Sequence, residues 1–575
     1  MLVKPKYEVR LFPFARPDLL LLHPPSVYDF RTTLGVPSPI ADLIPSGTAF
    51  EMYPLGFSFL GEYLERNGVN VRVVNLATRM LEDPSFDAGA FLAKQRPRAF
   101  GIGLHWLPHC HGAIEIARLC KQLNADIPVI MGGYSATIFA DELIACPEVD
   151  FVVRGDSAEE PLLQLMKVIE RGSGFEDVPN LSWRDPSGGA RHNEFSYVPS
   201  DLGHLGDNYR YMIRSAVKYG DIKGLRAFKG WWSYPLTAVV TVRGCRNNCT
   251  FCGGSAHAAS TCFNRSKPAF RTPAAIAADV RAISRFTGAP IFIIGDLRQN
   301  GDEYSLEVLE ALRSVSPRNY IVLELFGPAP RSFFEEASRS LPNFALEISP
   351  ETHDEELRGQ AGKRYGNAGL EATLRYAFEC GCSRADVFFM IGIRGQTRES
   401  VRATAAYATD LLRRFGPRLN PLIGPLAPFL DPGSISHDDA AELGYRLFCH
   451  TLEEYRAALL EPNWRDMLSY ETEWMSRADI AAATYEALLA LNRARGEASP
   501  GMSKYVDVCE SFLNDNMTLL ERVDRARAAG EDLMSLKADA EALRARGAHL
   551  KEELKWPVEG PRFRYPGIAR TILGR

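Results

Sequence analysis

No apolar run in this 575-residue chain approaches the ~20 residues a membrane-spanning helix needs. The N-terminus, MLVKPKYEVRLFPFARP, lacks the continuous apolar stretch and small-residue cleavage site of a secretory leader. A cytoplasmic protein without a membrane partner is expected. Basic excess is also missing: 66 Lys and Arg stand against 71 Asp and Glu, a net charge of -5. That balance cannot neutralise a phosphate backbone, which excludes general nucleic-acid binding. Cysteine is scarce, with 11 residues in the whole chain. This is far below a disulfide scaffold, so the cysteines are expected as buried thiols, metal ligands or catalysts. What is abundant is ordinary: 46% hydrophobic residues, enough for the three or four domains that such a length allows at roughly 100–200 residues each.

The chain reads as an α/β protein with two series of apolar strands. In the first, strands are expected at 18–22, 69–75, 99–104, 128–131 and 151–153, with amphipathic helices at 57–67, 112–123 and 159–170. Short strands apolar on both faces, with helices between them, predict a doubly wound, Rossmann-like parallel sheet whose ligand lies at the strands' carboxyl ends. Residues 173–235, rich in Gly, Pro, Asp, Ser and aromatics, read as a linker and hairpin. The second series has strands at 236–242, 291–294, 320–325, 344–349, 386–390 and 421–426. Six strand-helix repeats fit a partial (β/α)6 barrel of the TIM type, with chemistry at the strand C-termini. Beyond residue 438 nearly everything reads as helix, without sustained heptads. The expected division is 1–172, 173–235, 236–437 and 438–575.

The strongest motif is TVRGCRNNCTFCGGS, in which Cys245, Cys249 and Cys252 form a C-x3-C-x2-C array just after the first barrel strand. At this cysteine frequency such an array arises by chance about 0.004 times per chain. Three thiolates on one tight loop can hold three irons of a 4Fe-4S cluster, leaving the fourth iron open to a ligand. Structural zinc is the competing reading. It would recruit His257 or Cys262 as a fourth ligand, although no second short Cys/His motif follows.

The array and its position resemble the radical S-adenosylmethionine (SAM) superfamily. The resemblance implies that the three cysteines bind the cluster and that its open iron chelates the amino and carboxylate groups of SAM. It also implies that Phe251 lies near the adenine and that Gly253 and Gly254 let backbone approach the cofactor. FFMIGIRGQT, residues 388–397, resembles the superfamily's FMIGLPGET segment that wraps the adenosine, with Arg394 replacing the usual Pro. Gly392, Ile393 and Arg394 are thereby candidate SAM contacts. LEISPE, residues 346–351, falls on the fourth strand, where the family places polar residues against SAM. Period-two alternation puts Glu347 and Ser349 together on one face, which makes them candidates too. Asp296 and Glu324 also sit at strand ends, where a helix cap or a barrel ion pair competes with a cofactor role. An electron donor such as flavodoxin or ferredoxin is an implied partner.

Over roughly residues 15–170, HPPSVYDF, EMYPLGFSFLGEYLERNGVNVRVVNL, GIGLHWLPHCHGAIEIARLCKQL, PVIMGGYSAT and DFVVRGDSAEE follow one another. In that order they resemble the cobalamin-binding domains fused to radical SAM barrels. Gly132 and Gly133 end a strand and would let backbone approach a bulky ligand. With them, His105, Trp106, Tyr134, Arg154 and Gly155 are the candidate cobalamin contacts. The Asp-x-His-x-x-Gly loop of mutase-type proteins is missing. LLHPPS retains only His23, and LPHCHG keeps the His and Gly spacing without the acid that would orient an imidazole. His105, His109 and His111 are the histidine cluster to test for cobalt ligation.

Together the resemblances imply a methyltransferase. A methyl group would pass from SAM via methylcobalamin to a carbon centre of a small molecule, for example an aromatic or heteroaromatic natural-product intermediate, activated by a 5'-deoxyadenosyl radical. Ring contraction or oxidative cyclisation is the alternative chemistry on the same architecture. A zinc-stabilised regulatory protein with a degenerate N-terminal domain is the alternative outside it. No motif names the substrate.

Overall fold

A computed structural model of the protein describes residues 16–38, 54–185, 187–499, 501, 503–547, 555–558 and 560–573. Residues 1–15 of the N-terminal segment and residues 51–53 at the start of EMYPLGF lie outside the described residues.

Five parallel strands form the N-terminal sheet: β1 (Leu19–His23), β2 (Val71–Asn75), β3 (Ala99–Gly103), β4 (Val129–Gly132) and β5 (Phe151–Val153). Their order is β2-β1-β3-β4-β5. Both faces are dry, because successive side chains of a strand point to opposite sides. Leu20 and Leu22 enter one hydrophobic core and Leu19 and Leu21 the other, all at most 3% exposed. The strand order reverses between β1 and β3, so the crevice for a ligand opens where these strands end.

The segment expected as a linker and hairpin does contain a hairpin, and that hairpin is built into this unit. β6 (Leu181–Arg184) pairs antiparallel with β5, and β7 (Ala190–His192) with β6, extending the sheet to seven strands. The helix Asn208–Lys218 then packs on the helix Gly56–Arg66. There the Tyr211 ring fills the space a side chain on Gly61 would need, and its hydroxyl donates to Val71 O at 3.0 Å. The first compact unit thus runs well past residue 172.

The second sheet is parallel throughout and sequential in order: β8 (Thr237–Val240), β11 (Ile291–Ile294), β12 (Ile321–Leu325), β13 (Phe344–Glu351), β14 (Arg384–Ile391) and β15 (Leu419–Pro425). β8 and β15 are not paired, so the barrel is partial. A short antiparallel pair, β9 (Val242–Arg243) with β10 (Ala269–Phe270), flanks the cysteine loop. The floor of the barrel is closed by the far C-terminus. Trp556 lies nearly parallel to the Phe292 ring and donates its indole N–H to Asp386 Oδ2 at 2.8 Å. Gly288 N–H donates to Pro561 O and Arg564 N–H to Phe286 O, clipping the tail to the barrel.

The C-terminal region is mainly helical, with long helices Arg477–Ala498 and Ser503–Ala529. It departs from the expectation in one place, the hairpin of β16 (Tyr445–Leu447) and β17 (Tyr470–Thr472). It also does more than cover the barrel. Phe429, Leu452, Tyr455 and Leu459 belong to the same core as the helix Cys110–Leu123 of the first unit, and Arg456 pairs with Glu115 at 2.8 Å. Among the described residues no helix is long and apolar enough to cross a membrane.

Candidate active site between the two sheets

β8 and β9 deliver the chain to Gly244, whose φ of +80° turns it onto Cys245. From there the loop is shaped by backbone donors aimed at sulfur. Asn247 N–H lies 3.4 Å from Cys245 Sγ, and Gly254 N–H 3.3 Å from Cys252 Sγ. Gln299 Oε1 takes the Cys245 thiol at 3.2 Å and Arg246 N–H at 3.1 Å. The loop's back rests on the segment after β13. Thr250 N–H donates to Ala361 O, and a side-chain carbon on Gly362, where φ is +95°, would lie 2.3 Å from Asn248 O. The three sulfurs share one neighbourhood. Burial, then the nearby Asp431 and after it the other two cysteines, push the Cys252 thiol up to about 12; burial chiefly raises Cys249 to about 11. Bare, the loop favours thiols, so thiolates there require a bound cation, and coordination by a metal deprotonates a thiol outright.

The donor set fits a cluster better than a single zinc ion. Among the described residues no three His, Cys, Asp or Glu side chains converge on one ion. The two extra zinc ligands considered from sequence are engaged elsewhere: His257 Nε2 faces Asp438 at 3.3 Å, and Cys262 packs against Gly433. Three thiols spread over one loop suit a polynuclear core, whose irons each take one sulfur, and not a tetrahedral site.

The candidate SAM residues reach this loop from several strands. Glu347 and Ser349 are half-buried on the lumen face of β13, while Leu346 and Ile348 are buried in the core. Glu347 lies in register between Glu324 and Asp386. Burial and then those two carboxylates raise its pKa well above the ordinary range. Glu324 accepts Gly295 N–H at 2.6 Å. Asp296 caps its own turn and pairs with Arg298, a structural role. After β14 the chain turns at Gly392, φ +91°, where Gln396 Oε1 accepts both Gly392 N–H (2.9 Å) and Ile393 N–H (3.2 Å). The Ile393 side chain is 1% exposed and part of the barrel core, so its side chain is not a lining group. Arg394 N–H donates to Tyr445 Oη at 2.8 Å. Phe251 packs half-buried on the barrel core, and Gly254 is open apart from Cys252 Sγ.

Across from the loop, the ends of β3, β4 and β5 bring His105, Trp106, Gly132, Gly133, Tyr134, Arg154 and Gly155 to one sheet edge. The His23, His105 and His109 rings cluster there, 4.7–5.8 Å apart. His105 Nδ1 is buried with no hydrogen-bond partner among the described residues, and burial, then His109, drives its pKa well below 6.5. His111 is not part of this group; its Nδ1 accepts Tyr28 N–H at 3.3 Å. Two expectations change their reason. Gly133, φ +120°, is required by the chain itself, since a side-chain carbon would lie 2.5 Å from His105 Cα. Arg154 spends its guanidinium on the carbonyls of Asn180 and Asn193. An edge with an orphaned imidazole nitrogen, and open space at Gly132 apart from Val153 O at 3.5 Å, fits a large nitrogen-binding ligand such as a corrin.

The two halves touch directly. Tyr134, 38% exposed, stands against the Phe263 ring at 4.5 Å. Beside it, Arg243 grips Glu159 through two nitrogens, at 2.9 and 2.5 Å, and Arg265 grips Asp156 in the same way. The sequence showed no sign of these two pairings, or of Lys363, which is buried between Glu351 and Ser349 O near Cys249. Asp431, which accepts Gly253 N–H at 3.0 Å, was missed as well. The acids Asp156 and Glu159 do stand in the DFVVRGDSAEE segment, but their partners lie 109 and 84 residues away, respectively.

Residues 239–408 match the radical SAM superfamily and residues 47–164 the B12 binding domain. Hopanoid C-3 methylase of Methylococcus capsulatus is 25% identical over 296 residues, 51% of this chain and 51% of that protein. An uncharacterized methyltransferase of Pyrococcus horikoshii is 26% identical over 240 residues, 41% of this chain and 45% of that protein. The chain thus spans about half the length of the curated relatives it matches. In fold it is similar to the radical SAM methyltransferase TsrM from Kitasatospora setae, solved with cobalamin and a 4Fe-4S cluster. The TM-score is 0.58 at 15% identity, over 93% of this chain and 99% of that one. It is also similar to OxsB, a cobalamin-dependent SAM radical enzyme, with a TM-score of 0.57 at 12% identity, over 97% and 84% of the two chains. The two domain families imply a 4Fe-4S cluster with SAM on one side of the site and cobalamin on the other. The chain thus carries a radical SAM domain and, N-terminal to it, a B12-binding domain.

Proposed function

We propose that the protein is a cobalamin-dependent radical SAM methyltransferase that adds a methyl group to a carbon of a small molecule. The observation that carries this reading is the facing of the cysteine loop and the histidine-lined sheet edge across the Tyr134–Phe263 contact. A relative named as a C-3 methylase supports carbon as the acceptor. When bound, the cluster supplies the electron that cleaves one SAM to a 5'-deoxyadenosyl radical, and cobalamin relays the methyl group of another to the activated substrate.

The chain's own residues bind, orient and exclude water. Phe251, Gly253, Gly254, Glu347, Ser349, Gly392 and Arg394, with the backbone of Ile393, form the SAM side. His105, Trp106, Gly132, Gly133, Tyr134, Arg154 and Gly155 form the cobalamin side, with Arg154 acting through the hairpin it holds. The Arg243–Glu159 and Arg265–Asp156 pairs fix the separation of the two sides, the positional contribution that makes a reaction between bound partners effectively unimolecular. Phe263 packs against Tyr134 where the two sides meet, adding apolar surface to the boundary. Flavodoxin or ferredoxin is the proposed electron source.

The test is anaerobic incubation of the reconstituted protein with cobalamin, a reductant and methyl-labelled SAM over a panel of small molecules. Label in a new carbon-methyl bond is expected, together with deoxyadenosine and S-adenosylhomocysteine. Deoxyadenosine without label transfer on any substrate that turns over would reject methyl transfer in favour of ring contraction or cyclisation.

A further inference from the structure

Charge collects behind the cysteine loop, in the segment that leaves β13. The strand ends at Glu351, a buried residue with φ +66°, after a register shift against β14. That conformation is strained for a residue with a side chain and persists only where the surroundings enforce it. Two cations do so. Lys363 Nζ donates to Ser349 O at 2.5 Å and pairs with the Glu351 carboxylate. Arg358, fully buried, donates to Pro350 O at 3.1 Å, to Thr352 O, to Tyr365 O at 3.0 Å and to Asn367 Oδ1 at 2.6 Å.

These charges do not balance. The Arg358 guanidinium is satisfied by carbonyl and amide oxygens, and among the described residues no carboxylate pairs with it. Glu351 is one enclosed carboxylate against two enclosed cations; its side chain is 4% exposed and that of Lys363 9%. An arginine keeps its charge in any protein, and the ion pair with Glu351 holds the charge on Lys363.

The positive excess lies against the cysteine loop. Lys363 directly follows Gly362, where a side-chain carbon would lie 3.0 Å from Cys249 Cα, and Thr250 N–H donates to Ala361 O at 3.1 Å. The ammonium acts on Cys249 more strongly than its partner Glu351 does, and it acts on Cys245 as well. Bracing the loop does not call for a charge, because the backbone contacts at Ala361 and Gly362 already brace it. A charge does what a brace cannot. Irons held by three thiolates form a negative centre, one further electron makes it more negative, and the charge nearby sets how readily that electron is taken.

We infer that Lys363 sets the reduction potential of the cluster held at the cysteine loop, its ammonium favouring the form that has taken one electron from the flavodoxin or ferredoxin donor. Glu351 is the opposing charge that limits the effect, and Arg358 keeps the pair in place. This inference rests on the radical SAM reading of the loop.

The experiment is a redox titration of the reconstituted, full-length protein without SAM, with dithionite as reductant and the reduced cluster counted by electron paramagnetic resonance. Lys363→Met should move the midpoint to more negative potential. At the wild-type midpoint its ratio of reduced to oxidised cluster should fall on the order of ten-fold, which is about 59 mV for a one-electron couple. Lys363→Arg keeps the charge and should return the midpoint toward wild type. Glu351→Gln removes the opposing carboxylate, leaves the ammonium an oxygen acceptor and should move the midpoint to less negative potential. A purely structural brace predicts no such opposition of sign. If Lys363→Met loads iron poorly, Glu351→Gln decides: a less negative midpoint supports the inference, and an unchanged or more negative one overturns it. A wild-type midpoint in fully loaded Lys363→Met, or shifts of the same sign in Lys363→Met and Glu351→Gln, would overturn the inference and leave the radical SAM reading standing. A wild-type protein that loads no iron would overturn both.

Discussion

Arg243 and Glu159 meet end to end across the boundary of the two domains, at 2.9 and 2.5 Å, with Ser157 Oγ on the same guanidinium at 2.9 Å. Glu159 is 1% exposed. Burial opposes its ionisation, but Arg243, with help from His204, overrides it and holds the carboxyl well below 4.5. Glu159→Gln leaves a buried guanidinium uncompensated, and about 3–5 kcal/mol should be lost in urea denaturation at pH 7.5. A folded-state pKa below the unfolded value contributes stability above the unfolded value, and that contribution fades as pH falls through the folded one. The gap between wild type and Glu159→Gln should therefore be constant from about pH 8 to 5.5 and shrink below about 4.5. A loss under about 1 kcal/mol at pH 7.5 would show that the pair is dispensable.

Separate substitution of Cys245, Cys249 and Cys252 by Ala should each abolish deoxyadenosine formation and lower the iron bound after anaerobic reconstitution. Cys262→Ala should load iron like wild type, because that thiol packs on Gly433 and away from the loop sulfurs. Iron lost with Cys262, or zinc bound in place of iron, would return the site to the structural-metal reading.

His105 should impose a pH dependence on the apoprotein. Its folded-state pKa lies well below 6.5, through burial first and His109 second, so its contribution to stability is present above about 6.5 and declines as pH falls below it. Between pH 7.5 and 5.5 wild type should lose about 1 kcal/mol more than His105→Gln, as read from chemical denaturation midpoints. Identical slopes in the two proteins would mean that the imidazole takes a proton inside the fold.

Trp556→Ala should destabilise the barrel by about 3–5 kcal/mol. The change empties the stack on Phe292 and strips Asp386 of its indole donor. Thermal or chemical denaturation measures it, and a change within about 0.5 kcal/mol would make the C-terminal strap an ornament of the surface.

The parts of the fold legible in sequence were those whose cause is local. Strands such as Leu19–His23 announce themselves by being apolar on both faces, and the cysteine array by spacing within eight residues. Glu347 and Ser349 followed from alternation along one strand. What stayed hidden depends on distant partners. The β6–β7 hairpin was expected, but its docking on β5 was not, because that pairing is non-local, and Trp556 reads as tail because Asp386 lies 170 residues away. Gly133 was expected as room for a ligand, and the structure gives it a further reason, since the backbone of His105 excludes a side chain there. Asp431, in a loop without periodicity, carries no local sign of the glycine it touches.

The return of residues 428–460 into the first unit's core has a mechanical consequence. A clamshell opens when two bodies are joined by one bendable tether, and here the backbone passes between the bodies repeatedly. It goes from sheet to barrel, back to the helix Cys110–Leu123 through Phe429 and Tyr455, and out again to the helix Arg477–Ala498. Near its end it ties back once more, Lys537 to Arg31 O and Arg544 to Gly35 O. Swinging the walls apart would tear packed aromatics and buried ion pairs together. The site is a laced box, and its contents must enter and leave between the stitches.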